Sequence, residues 1–459
     1  MRCKLAERGM LLLLIILIAP AVSSPVNAKL PIVIYDPSPS PSLPLPIIGY
    51  APPIVPVSGV IRVLVVAAAY SDVNHTLSIA QLKKEWNGTV AAYYHEISYG
   101  KLTLQSDFRG WYTLPYPKAH YGKNCISVND VDCSGLDQSF QIANEVMPAL
   151  QKDVNFFNYD YYVFIHSGPG QETSGDRNDV WSVTYMSGVW IRTNSKTLTK
   201  FSVVPEIEAK GTVPYGIWCL EFGHDLGLPD LYNTNSHKTI LGPWELMDEG
   251  SLNGNPPGSS PAHMTAWDKI QLGFISGRML ATAYPSVNST FTVDPTEIAS
   301  TNVHAIKIWP TNAPNSSQYY LVEVRTKRGF DSALPSEGVL ITYVDETLSI
   351  GPVRVMDAHP EQPGLEDAVW NVNQTFTDAK NNLVVKIIGK VGNAYRITVT
   401  SNSEPTLPFT TAKSPSPLPL QQILEGVVAA EAKLAAFIVI DVDAGRLACQ
   451  LSSPSYWVV

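Results

Sequence analysis

Charge is scarce in this chain. Only 16% of its 459 residues are Asp, Glu, Lys or Arg, and 32 basic residues against 41 acidic ones leave a formal net charge of -9. A phosphate-gripping surface needs clustered Lys and Arg. No such cluster occurs along the sequence, so no nucleic-acid partner is expected. The same negative balance argues against adsorption to acidic lipid. Cysteine is nearly as rare. Beyond the first residues the chain holds Cys125, Cys133, Cys219 and Cys449, too few for a disulfide scaffold. Cys125 and Cys133 share a polar loop with Asn129, Asp130, Asp132 and Gly135, which favours a local disulfide there; Cys219 is expected inside a buried helix. EF-hand spacing is absent as well. The oxygen-rich groups Asn129, Asp130, Asp132 and Asp176, Asn178, Asp179 fall short of the six to eight ligands a hard cation takes. They read as solvated turns, and no calcium site is claimed.

Apolar residues, by contrast, make up 45% of the chain, enough for one large domain and a smaller one, each with its own core. Arg2, Lys4 and Arg8 precede the apolar run Met10 to Val22 and the small residues Ser23, Ser24, Asn27 and Ala28. Residues 1–28 therefore read as a secretory leader, because the run is shorter than the roughly 20 residues a spanning helix needs; an uncleaved anchor is the competing reading. Export is expected either way, with retention at the cell surface as a variant. Sequons at Asn74, Asn87, Asn288, Asn315 and Asn373 fit an exported glycoprotein, although such triplets also arise by chance.

Residues 29–58 are dense in proline and read as a solvated spacer. Nothing in them is long or apolar enough to be a folded inhibitory pro-segment. Structure is expected from Val60 to Ala67, a β-branched run typical of a central strand. A helix follows over Leu77–Tyr94 and a strand over 101–104. His95-Glu96 resembles the start of a metal-binding helix, but Tyr99 stands where a second histidine is needed, so a plain helix end is expected. Residues 138–151 suggest another helix and Tyr159–His166 a buried strand, His166 being read as a hydrogen-bonded structural histidine.

The informative stretch is Trp218-Cys219-Leu220-Glu221-Phe222-Gly223-His224-Asp225-Leu226-Gly227-Leu228-Pro229-Asp230. Pro214 and Gly216 mark the start of a helix, and Gly227 with Pro229 its end. Residues four apart share a helix face, so positions 220 and 224 point the same way with Glu221 beside them. That is the arrangement by which two histidines grip zinc while a glutamate takes a proton from the metal's water. Here the first histidine position holds Leu220. Asp230, after a turn at Gly227, is placed to fold back as a further ligand. Met247, in Leu246-Met247-Asp248-Glu249-Gly250, is a candidate floor beneath the site.

The runs EFGHDLGLPDLY and LMDEGS, the segment Pro261–Phe274, the upstream YYHEISYGKLTLQSDFRGWYTLP and the downstream YYLVEVRTKRGFDSALPSEGVLITYVDE resemble the immune inhibitor A family of secreted zinc metallopeptidases, over about residues 58–400. The resemblance implies a zincin- or metzincin-like catalytic domain, a mixed sheet with an active-site helix, packed against a β-rich domain: an α+β fold. Carried over by position, the family pattern His-Glu-x-x-His-x-x-Gly-x-x-Asp implies Glu221 as general base, His224 and Asp230 as zinc ligands, and Leu220 where the first ligand belongs. An isobutyl group offers no donor, so zinc binding should be weakened.

The expected division is a metallopeptidase-like domain over 59–284, a β-rich sandwich over 285–403, a proline-rich linker over 404–420 and a tail over 421–459 with no assigned role. Three functions compete. The first is a secreted peptidase homologue with a degenerate metal site and little or no activity. The second is a working enzyme whose zinc is completed by Cys219, His263 or His237, each of which also has an ordinary structural reading. The third is a surface glycoprotein whose β-rich domain binds a cell-envelope partner. A protein or peptide substrate or ligand is expected, and no small-molecule cofactor.

Overall fold

The computed structural model describes residues 54–122, 138–310 and 316–402, and the backbone of 440–441 and 446–447. The leader, most of the proline-rich spacer, the Cys125 and Cys133 loop with its Asn129, Asp130 and Asp132, Asn315, the linker 404–420 and almost all of the tail lie outside the described residues. Two compact units are distinguished, 1–402 and 403–459. In the second, Ile440–Asp441 pairs antiparallel with Arg446–Leu447.

The first unit is built on β1 (Gly59–Ala69), whose β-branched run is buried on both sides from Val63 to Ala68. Its neighbours are β2 (Leu102–Thr113) and β3 (Tyr161–Pro169), both parallel, with Val63 opposite Ser106 and Tyr161. The edge strand β4 (Val183–Tyr185) follows in sequence, then the small hairpin β5 (Ile191–Arg192) and β6 (Thr197–Leu198), then β7 (Phe201–Ile207). The sheet order is β2-β1-β3-β7-β4, with β4 alone antiparallel.

Helices cover both faces, which is why β1 reads as a continuous apolar run rather than an alternating one. Odd-numbered side chains of β1 (Val63, Val65, Ala67) pack in one core with α1 (Ile79–Trp86) and α2 (Ala92–Ile97). Ser78 and Gln81 close a capping box at the start of α1, satisfying amides that have no partner within the helix. The single helix expected over Leu77–Tyr94 is one helical run from 79 to 97, widened at Asn87–Ala91 by a π-turn. Even-numbered side chains (Leu64, Val66, Ala68) pack with α4 (Phe140–Leu150), after the short α3 (Lys118–Tyr121), through Ile142, Val146 and Leu150. Two further short helices are α5 (Gln171–Ser174) and, beyond the central helix α6 (Tyr215–Asp225), α7 (Ala266–Gln271).

The remaining residues form two sheets facing each other across a shared apolar core. One contains β8 (Leu280–Ala283), β10 (Ala305–Ile308), β11 (Gln318–Arg325), β12 (Gly338–Asp345) and β13 (Val353–Val355); the other contains β9 (Ser289–Val293), β14 (Thr375–Asp378), β15 (Leu383–Val391) and β16 (Ala394–Thr400). The chain is thus α+β with a β-rich second half. The strand Leu280–Ala283, which precedes residue 285, pairs within this sandwich.

Strand β11 decides how the halves meet. Tyr320, Val322 and Val324 enter the sandwich core. Tyr319 and Leu321 enter the core of the first half, and Glu323 and Arg325, also at odd positions, are buried and bonded there. With both faces covered, β11 belongs to both cores and joins the halves.

Candidate functional site

Every residue from Gly216 to Asp225 in α6 is buried. Gly216 permits this closeness: a Cβ there would lie 1.7 Å from the Ser251 carbonyl oxygen. Met247 is buried beneath the middle of the helix, where a Cβ on Gly223 would meet its sulfur at 2.7 Å. The helix ends through Gly227, whose φ of +104° is open to glycine and strained for other residues. The Gly227 amide donates to the His224 carbonyl (2.8 Å) and the Leu228 amide to the Gly223 carbonyl (3.1 Å). These two bonds make a Schellman close.

The turn returns the chain to the helix. His224 Nδ1 donates to the Leu228 carbonyl at 2.7 Å; a carbonyl only accepts, so the proton is on Nδ1 and the other ring nitrogen, Nε2, faces the turn beyond the helix. There it meets Asp230 Oδ1 at 3.4 Å. Burial alone lowers the imidazole, but Asp230 beside it outweighs burial and leaves it above its ordinary value. Burial raises the Asp230 carboxyl.

Glu221 accepts from the Thr184 hydroxyl through Oε2 at 2.7 Å, while Oε1 is buried without a partner. Burial, reinforced by Asp230 and Glu172, pushes its pKa up to about 8 against the opposing influence of His224 and Thr184. Asp225 accepts from Ser202 at 2.6 Å and is pushed to about 7 by burial.

The structure thus brings Glu221, His224 and Asp230 together in one buried site. Leu220 is fully buried one turn before His224. None of the proposed substitutes joins them. Cys219 lies in the apolar core with its thiol raised by burial. The two ring nitrogens of His263 are taken by Glu96 (2.9 Å) and Lys269 (3.0 Å). His237 is exposed. Among the described residues no three of His, Cys, Asp and Glu form a metal-binding group.

The fit to zinc is therefore partial. The 3.4 Å between His224 Nε2 and Asp230 Oδ1 matches two corners of a tetrahedron with bonds of about 2.0–2.1 Å. A catalytic zinc takes three protein donors, and two are present; the donor set does not fit.

Other expectations resolve simply. His166 is buried, bonded through Nδ1 to the Ser167 carbonyl region at 3.1 Å, and held by burial at about 4. Glu96 does sit at a helix end, where it accepts from the Phe330 amide as well as from His263. Asp179 is ion-paired with Lys118, and Asp176 is occupied by the Asn178 amide and side chain, an arrangement of turns rather than of cation ligands. Sequence reading missed Thr184, Ser202 and Asp225. Their only trace is polar residues inside apolar strands and on a buried helix, a weak signal without the fold.

Residues 158–277 match the model of the family described as immune inhibitor A peptidase M6, catalytic domain. The chain is 27% identical over 224 residues to Immune inhibitor A of Bacillus thuringiensis subsp. alesti, a match covering 39% of this chain and 31% of that protein. It is 25% identical over 236 residues to the pre-pro-metalloprotease PrtV of Vibrio cholerae serotype O1 (strain M66-2), covering 43% of this chain and 25% of that one. Each match thus takes in less than a third of the relative's length.

Proposed function

From the match of residues 158–277 to the immune inhibitor A family of M6 peptidases, we propose that this chain is an exported peptidase homologue with a degenerate metal site and little or no hydrolytic activity. The peptidase scaffold comes with the family, which implies a metal, ordinarily zinc, and a protein or peptide as substrate. The observation that carries the rest is Leu220, buried one turn before His224 where a metal donor belongs, with two donors left and, among the described residues, no group of three His, Cys, Asp or Glu that could hold a metal.

On this reading the fold is zincin-like. His224 and Asp230 are the surviving ligands of an ancestral site, and Glu221 its former base. The site is left to hold a polypeptide without cutting it, with the Glu221 carboxyl fixed by Thr184 on the edge strand β4. No step through zinc follows from two donors. Export rests on the leader-like first residues, and glycosylation on sequons whose asparagines at 74, 87, 288 and 373 are exposed. Among the described residues no helix is long and apolar enough to cross a membrane.

The test is metal analysis and hydrolysis of an unfolded protein substrate by the purified chain and its Leu220→His variant. Little zinc and no hydrolysis in the unaltered protein, with a gain of either in the variant, supports the proposal. Stoichiometric zinc together with robust hydrolysis in the unaltered protein overturns it.

A further inference from the structure

A second polar centre lies where α7 meets β11, away from the helix site and independent of whether that site holds a metal. His263, just before α7, is fully buried there. Its ring meets Glu96 Oε1 of α2 through Nε2 at 2.9 Å and Lys269 Nζ of α7 through Nδ1 at 3.0 Å. Its amide donates to Asp331 at 2.7 Å, and its carbonyl accepts from Arg325 of β11 at 3.2 Å. Lys269 also donates to the hydroxyl (2.7 Å) and the carbonyl (3.3 Å) of Thr296, between β9 and β10. Two side chains thus tie α2, α7, β11 and the β9–β10 connection into one joint.

Counting protons fixes the charge of the pair. An ammonium has three protons and no lone pair, and Lys269 has three acceptors: His263 Nδ1, the Thr296 hydroxyl and the Thr296 carbonyl. His263 Nδ1 must then be bare. The single ring proton sits on Nε2, where Glu96 accepts it. A second proton on the ring would set one N–H against another across 3.0 Å. The folded pair therefore has room for one positive charge, whereas in an unfolded chain below the ordinary histidine value it carries two.

We propose that the His263–Lys269 contact is an acid-released latch, which holds the joint closed while the imidazole is neutral and opens when the ring takes a second proton. The effect reaches the helix site. Thr265 donates its amide to Glu245 at 2.6 Å, and the other Glu245 oxygen accepts from the Met247 amide at 3.0 Å. Since Met247 lies beneath α6, acid loosens the floor of that helix.

Burial, with Lys269 beside it, lowers the imidazole against the pull of Asp331 and Glu96. Lys269, lowered by burial to about 8, stays charged in neutral and acid medium. A base held neutral in the fold contributes stability that is fully present above its unfolded value, about 6.5 for histidine, and is lost as pH falls below it. The surrounding groups are separable from this. Against burial, His263 and the Phe330 amide lower Glu96, and Arg325 lowers Asp331, so both titrate in stronger acid. Burial raises Asp268, Glu297 and Glu323, which favours the fold as pH falls, the opposite sense. Arg325 stays charged. Tyr93 at the ring's edge and Tyr99 over Lys269 are raised by burial, away from this range. His304, against Tyr99 and lowered by burial to about 4, acts in the same sense as His263.

The experiment is denaturant unfolding of the full chain from about pH 7.5 to about 5, beside His263→Gln, whose amide can donate to Glu96 and accept from Lys269 without titrating. Below about pH 6.5 the folding constant of the unaltered protein should fall, relative to the variant, by up to about tenfold per pH unit. His304 and the carboxyls are common to both proteins, so the difference isolates the latch. Exchange of the Thr265 and Met247 amides, corrected for intrinsic rates, should quicken with acid more in the unaltered protein than in the variant. Parallel stability curves overturn the proposal. If the variant does not fold, the ring nitrogen resonances of His263 in the unaltered protein decide: a bare Nδ1 and a protonated Nε2 are expected at neutral pH, and a ring that is doubly protonated there, or that titrates at the ordinary histidine value in the folded state, ends the idea.

Discussion

Replacing Leu220 with histidine is the sharpest perturbation this molecule offers. Leu220 is fully buried, so losing its isobutyl group forfeits about 2–3 kcal/mol of apolar burial. An imidazole left without a partner in the same place costs about 1–3 kcal/mol more. Across the roughly 350 residues from 54 to 402, an unfolding entropy near 2.1 cal/mol/K per residue makes 1 kcal/mol worth about 1.4 °C. The metal-free variant should therefore melt about 4–8 °C below the parent. Zinc then has three donors to bind, and at a free concentration a thousandfold above the dissociation constant it returns about 4.1 kcal/mol, or about 6 °C. Scanning calorimetry of both proteins, in chelator and in zinc, reads these shifts directly. The parent, with two donors, should move far less. If zinc lifts the parent as much as the variant, or leaves the variant where chelator left it, the reasoning about Leu220 is wrong.

Thr184→Val removes the donor to a buried carboxyl and should destabilise the chain by about 1–3 kcal/mol, whereas Thr184→Ser should cost less; denaturant unfolding distinguishes them. Gly216→Ala places a Cβ 1.7 Å from a carbonyl oxygen and should prevent the helix from seating, seen as loss of soluble protein. Gly227→Ala meets nothing within 4 Å and should cost only the left-handed strain of about 1–2 kcal/mol, measurable as a small fall in melting temperature. A fragment limited to residues 59–284 should aggregate. It lacks the Arg325, Glu323 and Asp331 groups that satisfy the Trp244 and His263 carbonyls and the Ala266 and His263 amides. A soluble, cooperatively folding fragment would contradict the joint as described.

Local chemistry was legible wherever it follows from spacing along one element. The apolar run of β1, the stripe Ile142, Val146 and Leu150 of α4, and the helix closed by Gly227 each follow from period and backbone permission, and the structure shows all three. The same is true of Met247, whose place under α6 was expected from its position after the helix. The sequence reading found no chemistry in the β-rich half, because Glu323 and Arg325 look like the solvated face of an alternating strand. Their burial comes from a second layer arriving from a distant part of the chain.

By itself, then, the sequence determined the helix, its turn, the pair His224 and Asp230 on either side of that turn, and the apolar Leu220 one turn before His224, since all of these depend on neighbours within about a dozen residues. The tertiary structure alone decided whether Cys219, His237 or His263 could join His224 and Asp230, because that depends on which way a side chain faces and what has already claimed it. It also decided which carboxyls are buried. Desolvation and pairing are properties of packed layers, and no spacing along the chain encodes them.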